Sequence, residues 1–132
     1  MTTRPMVDEA DGDTWDLRLR HGLRYGWVVV EVVGELDTTN AEMFWGFLAD
    51  CLRTGATRMV VDLGNVDFVG RAGVYALVST YQRLRRRGGE LNVISDDANT
   101  LRRFHQAGLG TLITVLPSVP WPSDAPAGPP SP

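Results

Sequence analysis

Between Met59 and Leu84 the hydrophobic pattern changes period once, and glycines bracket the change. Met59-Val60-Val61-Asp62-Leu63 is a short apolar run rich in β-branched valine, and Val66 to Val69 keeps the extended character. This side predicts a buried strand. Val74, Leu77, Val78, Tyr81 and Leu84 then recur at helical spacing and leave Gln82, Arg83 and Arg85 to solvent, which predicts an amphipathic helix. Gly70 and Gly73 at the junction permit a tight turn and leave a shelf with few side chains, open to close approach by another molecule. A strand that runs into a glycine-lined helix start points to strands and helices in alternation. It also makes residues 65–77 the candidate working surface.

The flanking sequence repeats that alternation. Trp15, Leu17 and Leu19 alternate with Asp16, Arg18 and Arg20, the period-two pattern of a half-buried edge strand. The stretch from His21 to Gly26 turns the chain, and Trp27 to Val33, interrupted only by Glu31, predicts a more buried strand that pairs antiparallel with the first. After Gly34 the pattern becomes helical. Thr39 and Glu42 have capping-box spacing, Ala41, Phe44, Trp45, Leu48 and Leu52 form one apolar stripe, and Gly55 supplies the stop. Gly88-Gly89 ends the second helix, and Leu91 to Ile94 is a short strand. Asp96 or Asp97 caps a third helix that faces inward through Ala98, Leu101 and Phe104 and ends at Gly108, and Leu112 to Leu116 closes the set. The expected fold is α/β: a mixed sheet that begins with an antiparallel hairpin, continues in parallel βαβ units with right-handed crossovers, and is flanked by helices.

A length of 132 residues fits one domain that buries a core without disulfides or metals. Residues 1–13, acidic through Asp8, Glu9, Asp11 and Asp13, read as a flexible lead-in and not as a signal peptide; residues 14–116 form the domain. Residues 117–132 read as a proline-rich, disordered tail, because seven of these sixteen residues are proline, and Trp121 is the one residue there able to dock on something. The single cysteine, Cys51, has no internal disulfide partner and no Cys/His company with metal-ligand spacing, which fits a reducing cytoplasm. No apolar run reaches membrane-spanning length, so no membrane insertion is expected. The net charge of -3 argues against a nucleic-acid partner. All thirteen basic residues are arginine, and Arg83, Arg85, Arg86 and Arg87 collect at a helix C-terminus, where the dipole favours positive charge.

Catalytic chemistry finds little support. His21 and His105 lie in unrelated contexts with no nucleophile or ligand spacing near either. Asp62 and Asp67 fit strand-end and turn roles, Cys51 fits a buried helix face, and Gly70-Arg71-Ala72-Gly73 lacks the lysine and hydroxyl of a phosphate loop. No enzyme activity, cofactor or metal is expected. Arg71 sets a positive charge at the positive end of a helix dipole, either as an inexpensive exposed charge or facing an acidic group or nucleotide phosphate on a partner. Asp37 is either a turn residue or part of a recognition surface.

Gly34-Glu35-Leu36-Asp37, Val61-Asp62-Leu63, Val66-Asp67-Phe68-Val69, Gly73 and Gly88-Gly89, in this order and spacing, resemble the STAS domain over roughly residues 14–116. That family is shared by anti-anti-sigma factors, which are anti-sigma factor antagonists, and by the cytoplasmic ends of sulfate transporters. In anti-anti-sigma members the helix start reads Asp-Ser-Ser-Gly, and the second serine is phosphorylated by an anti-sigma factor that is also a kinase. Here the same four places hold Gly70-Arg71-Ala72-Gly73, so Ala72 occupies the phosphoacceptor place and offers no hydroxyl. The resemblance implies a non-catalytic protein-interaction module that binds an anti-sigma factor or related serine-kinase-fold protein through Asp37, Thr38, Gly70, Arg71, Ala72, Gly73 and Val74. The other reading it allows is an accessory or scaffold subunit of a signalling or lipid-transport ATPase complex. The family's usual closing helix after the last strand is replaced here by the proline-rich tail.

Overall fold

A computed structural model describes residues 17–120. The expectations for residues 1–13, for Trp15 and for residues 121–132 lie outside them. Five strands form one sheet in the order β1-β2-β3-β4-β5: β1 (Leu17–Arg24), β2 (Trp27–Leu36), β3 (Arg58–Val69), β4 (Glu90–Ile94) and β5 (Thr114–Leu116). β1 pairs antiparallel with β2, and every later pairing is parallel, which is the expected mixed sheet with β1 at one edge. Helices α1 (Ala41–Arg53), α2 (Arg71–Arg86) and α3 (Ala98–Gln106) fill the crossovers, with a 3-10 turn at Leu109–Thr111.

Several boundaries differ from the sequence reading for local reasons. β1 extends to Arg24, and only Tyr25-Gly26 turns, with φ of 58° and 85°. Positive φ at both central residues makes a two-residue type I′ turn, whose twist matches that of the strands. β2 continues past Gly34 to Leu36, because a strand buried at its far end gains more from pairing than an early helix start would give. The register between β2 and β3 shifts twice, placing extra residues in β3. After the second shift Val66 and Val69 face the core while Asp67 and Phe68 are exposed, which simple alternation does not foresee. The last strand is Thr114–Leu116 and not Leu112–Leu116, because the amides of Leu112 and Ile113 both donate to Leu109 O in a tight turn that buries Leu109 and Ile113.

One large core joins the sheet to the helices, with Leu17, Leu19, Val30, Phe44, Leu77 and Phe104 among its fully buried members. α1 buries Phe44, Phe47, Leu48 and Leu52; Trp45, assigned to the stripe from sequence, is instead 44 % exposed, and Phe47 takes the inward place. α3 faces inward through Thr100 and Phe104, whereas Ala98 and Leu101 lie outward. Arg87 does more than match its own helix dipole: its guanidinium donates to the carbonyls of Leu52 and Ala56 at 2.9 and 3.0 Å and satisfies acceptors at the C-terminal end of α1. The opposite face of the sheet has a smaller cluster of Val29, Val60 and Ile94, against which Trp27, Leu116 and Val119 pack.

Candidate functional site

The site is made where two parallel strands end side by side. Leu36, fully buried, closes β2, and the Gly70 amide donates to Leu36 O at 2.8 Å just past the end of β3. That bond joins the two exits of the sheet, so the Asp37–Asn40 turn before α1 and the Gly70–Gly73 start of α2 stand next to each other. A side chain at Gly70 would meet Phe68 at 3.2 Å and Leu36 O at 3.3 Å, and one at Gly73 would meet Leu36 at 3.3 Å. Glycine suits both places because the chains approach closely there, and not because of an unusual φ.

The Asp37 turn is ordered by its own side chains. One carboxylate oxygen, Asp37 Oδ1, accepts from Thr39 N at 3.0 Å, Thr39 Oγ1 at 2.7 Å and Asn40 N at 3.3 Å. Buried Asn40 returns the contact, accepting from Asp37 N at 3.0 Å through Oδ1 and donating to Glu35 O at 2.8 Å through Nδ2. The capping box expected from Thr39 and Glu42 does not form: Asn40 is the N-cap of α1, it makes no side-chain cap bond, and the Thr39 hydroxyl is taken by the nearer carboxylate. This is an Asx-type turn, in which the ionised acceptor outcompetes a neutral backbone partner.

The α2 start contrasts with it. Gly70 is the N-cap in extended conformation, no side chain caps the helix, and no acidic residue lies in the first turn. The α1 end therefore carries a carboxylate while the α2 end carries only Arg71. Both helix N-termini point their positive dipole ends to the same region. Asp37 is half-buried, Thr38 and Arg71 are exposed, and Ala72 is half-buried. Gly70, Gly73 and Val74 are buried and support the surface from beneath.

Sequence reading missed two aromatic side chains at this end. Phe68 is 41 % exposed and carries the Arg103 guanidinium over its ring at 4.9 Å; Tyr75, one residue off the apolar stripe of α2, is 57 % exposed. The only signal for Tyr75 was its place on the polar face of a helix, and for Phe68 there was none until the strand register was known. The remaining candidates stand apart. His21 packs edge-on against Phe47 with ring centroids 5.6 Å apart, and its buried Nδ1 has no hydrogen-bond partner among the described residues. Burial, and secondarily the Asp50 carboxylate, pushes the Cys51 thiol up to about 11, so it is an inert core group at neutral pH. Asp97, not Asp96, caps α3 by accepting from Thr100 N and Oγ1, and those bonds hold its carboxyl below the usual range. Among the described residues no group of three or more His, Cys, Asp or Glu is placed to hold a metal, and no helix is long and apolar enough to cross a membrane.

A mixed sheet with helices at its parallel crossovers, and turn and helix-start backbone exposed at the strand ends, define a small α/β domain. The STAS domain profile matches residues 15–120, and the chain belongs to that family. It is 33% identical over 94 residues to the anti-sigma-F factor antagonist RsfA of Mycobacterium tuberculosis, covering 69% of this chain and 73% of that protein. A crystal structure of an anti-sigma factor antagonist from Mycobacterium paratuberculosis superposes with a TM-score of 0.73 at 26% identity, covering 78% of this chain and 87% of the other. The Bacillus protein SpoIIAA in its phosphorylated form shares the fold, with a TM-score of 0.60 at 19% identity over 74% of this chain and 89% of the other.

Proposed function

We propose that this chain is an anti-sigma factor antagonist that works by binding alone, with an anti-sigma factor of serine-kinase fold as its partner. The observation that carries the reading is the Gly70–Leu36 bond, which sets Asp37 and Thr38 beside Arg71 and Ala72 on one surface. The relatives named as anti-sigma factor antagonists support the partner class. Ala72 has no oxygen to accept a phosphoryl group, so the switch of serine-bearing members has no chemical basis at this place. The module is constitutively competent with respect to that switch.

The α2 start without a side-chain cap and Arg71, which has no ion-pair partner among the described residues, give the surface a positive edge, which suits a partner that brings carboxylates or nucleotide phosphates. The test is Ala72→Asp, made with and without Arg71→Ala, titrated calorimetrically into the purified partner. A carboxylate at position 72 lies at a helix start that tolerates it, so folding persists, but it meets the partner's negative groups. We expect at least a tenfold loss of affinity when Arg71 is absent and a smaller loss when Arg71 is there to pair with the new carboxylate. Affinity unchanged in both variants would move the interface elsewhere.

A further inference from the structure

At the end of the sheet away from the Asp37 turn, the strands outrun the helix that covers them. α1 stops at Arg53, whereas the β1–β2 hairpin continues to its turn at Tyr25-Gly26. Burial along the covered face of β1 fades in step: Leu17 and Leu19 are buried, His21 is half-buried, and Leu23 is 72 % exposed. The space between the hairpin, the end of α1 and the entry to β3 is a cavity of about 650 Å³, with Leu23, Val28 and Ala56 among its apolar lining and His21 and Arg58 among its polar lining. It is open at the α1 end, where a Cβ built on Gly55 would meet no atom within 4 Å. A mostly apolar space of this size with a few polar groups has the make-up of a small-molecule site.

His21 sets the polar chemistry of this cavity. Its ring packs edge-on against Phe47 of α1, so it stands on the covered face, in the row that Leu17 and Leu19 begin. Its Nδ1 is buried and has no hydrogen-bond partner among the described residues. An orphaned buried N–H is rarer in folded proteins than an orphaned acceptor, which puts the ring proton on Nε2 and makes Nε2–H the donor for an occupant. The charges around the cavity oppose one another. The C-terminal end of α1 turns its negative pole there. Against it, Arg58 Nη1 lies 3.9 Å from a Cβ built on Gly26, and the Arg87 guanidinium donates to Leu52 O and Ala56 O. Neither sign prevails, and burying a net charge without a matched partner is costly. We propose that the cavity binds an uncharged small molecule, an aryl or alkyl body carrying one carbonyl group, with the carbonyl oxygen accepting from Nε2–H of His21 and the body against Leu23, Val28 and Ala56. Bound there, it joins the hairpin to the end of α1 opposite to the Asp37 turn, and stabilises the fold by mass action without covering the partner surface.

The probe is 4-phenylbutan-2-one, with 3-phenylpropanoate and 4-phenylbutan-2-amine as near-isosteres of negative and positive charge. Each is titrated to about 10 mM into the nitrogen-15-labelled full chain at pH 8, and the backbone amide shifts are followed; a ligand of this size binds with a dissociation constant of about a millimolar. The proposal expects saturable shifts centred on Gly22, Leu23, Gly55 and Ala56, and affinity at least threefold tighter for the ketone than for either charged compound. Long-range nitrogen correlations of the free chain should show the His21 proton on Nε2. His21→Phe keeps a ring against Phe47 but removes the donor, and should weaken the ketone at least threefold. Leu23→Ser strips an exposed wall of the cavity and should weaken it at least twofold; if His21→Phe fails to fold, this variant and the ranking of the three compounds carry the test. The proposal is overturned by the absence of saturable shifts, by shifts centred on Gly70–Val74, by tighter binding of either charged compound, by a ring proton on Nδ1, or by an affinity that a folded variant of either kind leaves unchanged. No step involves the anti-sigma factor, so the proposed function keeps its own test.

Discussion

Asp37 is asked to do two things, and substitution separates them. Its Oδ1 accepts from Thr39 N, Thr39 Oγ1 and Asn40 N, and its negative charge lies before the first turn of α1. Asp37→Ala removes the acceptor and the charge together. Loss of an N-terminal acceptor costs about 0.5–2 kcal/mol, and loss of a negative charge near a helix start about 0.3–1 kcal/mol. Thr39 is exposed and its freed groups turn to water, which keeps the acceptor loss at the lower half of its range. The expected total is about 1.5 kcal/mol, which lowers the melting temperature by about 6 °C or more in a domain of this size. Asp37→Asn keeps Oδ1 as an acceptor and loses only the charge, so about 0.5 kcal/mol is expected. Urea unfolding of the three proteins at pH 7, followed by far-ultraviolet circular dichroism, reads both values. Equal destabilisation by Asn and Ala, or a cost below about 0.3 kcal/mol for Ala, would refute the assignment of Oδ1 as the organiser of this turn. With stability known, Asp37→Asn also becomes the cleaner probe of partner binding, because it changes charge while leaving the turn bonded.

Other expectations follow from close packing and burial. Gly89→Ala places a Cβ 2.2 Å from Thr57 O, on backbone held by the Glu90–Thr57 and Gly89–Leu84 bonds, so it should cost about 3 kcal/mol or more. Gly88→Ala meets open space and only the strain of φ +72°, about 1–2 kcal/mol, so denaturant midpoints should rank the two clearly. Iodoacetamide at pH 8 should leave Cys51 unmodified in the folded protein and modify it fully in denaturant, as read by mass spectrometry. Because folding raises this thiol to about 11 from 9.0, its contribution to stability is complete below pH 9 and declines as pH rises from there through 11. Truncation after Leu116 should be less stable to urea than truncation after Pro120 by about 1 kcal/mol, because Val119 packs on the cluster of Val29, Val60 and Ile94.

Element type was readable wherever the apolar period was sustained, as in Met59–Val69 and Val74–Leu84, because strands and helices bury one face at different spacing. Places where competing local bonds decide the outcome were not readable. Thr39 and Glu42 carry the capping-box letters, yet the Asp37 carboxylate takes the hydroxyl first. Trp45 and Phe47 are equally apolar, and only the position of the sheet beneath α1 decides which is buried. The exposure of Phe68 depends on a register shift between β2 and β3, a property of two strands that neither sequence shows alone. At the site, family resemblance pointed to Asp37, Arg71 and Ala72 as candidates, while the bond that brings the two strand exits together and the side-chain network that orders the Asp37 turn required the packed structure.

The most direct measurement is sigma-factor release. A fluorescently labelled sigma factor is held by its anti-sigma factor, this chain is titrated in, and the loss of anisotropy is followed after preincubation with or without ATP. The account predicts release at the same concentration of chain under both conditions, and predicts that Ala72→Ser makes release sensitive to ATP because a hydroxyl again stands at the helix start. No release at any concentration, or release by the natural chain that ATP abolishes, would contradict it.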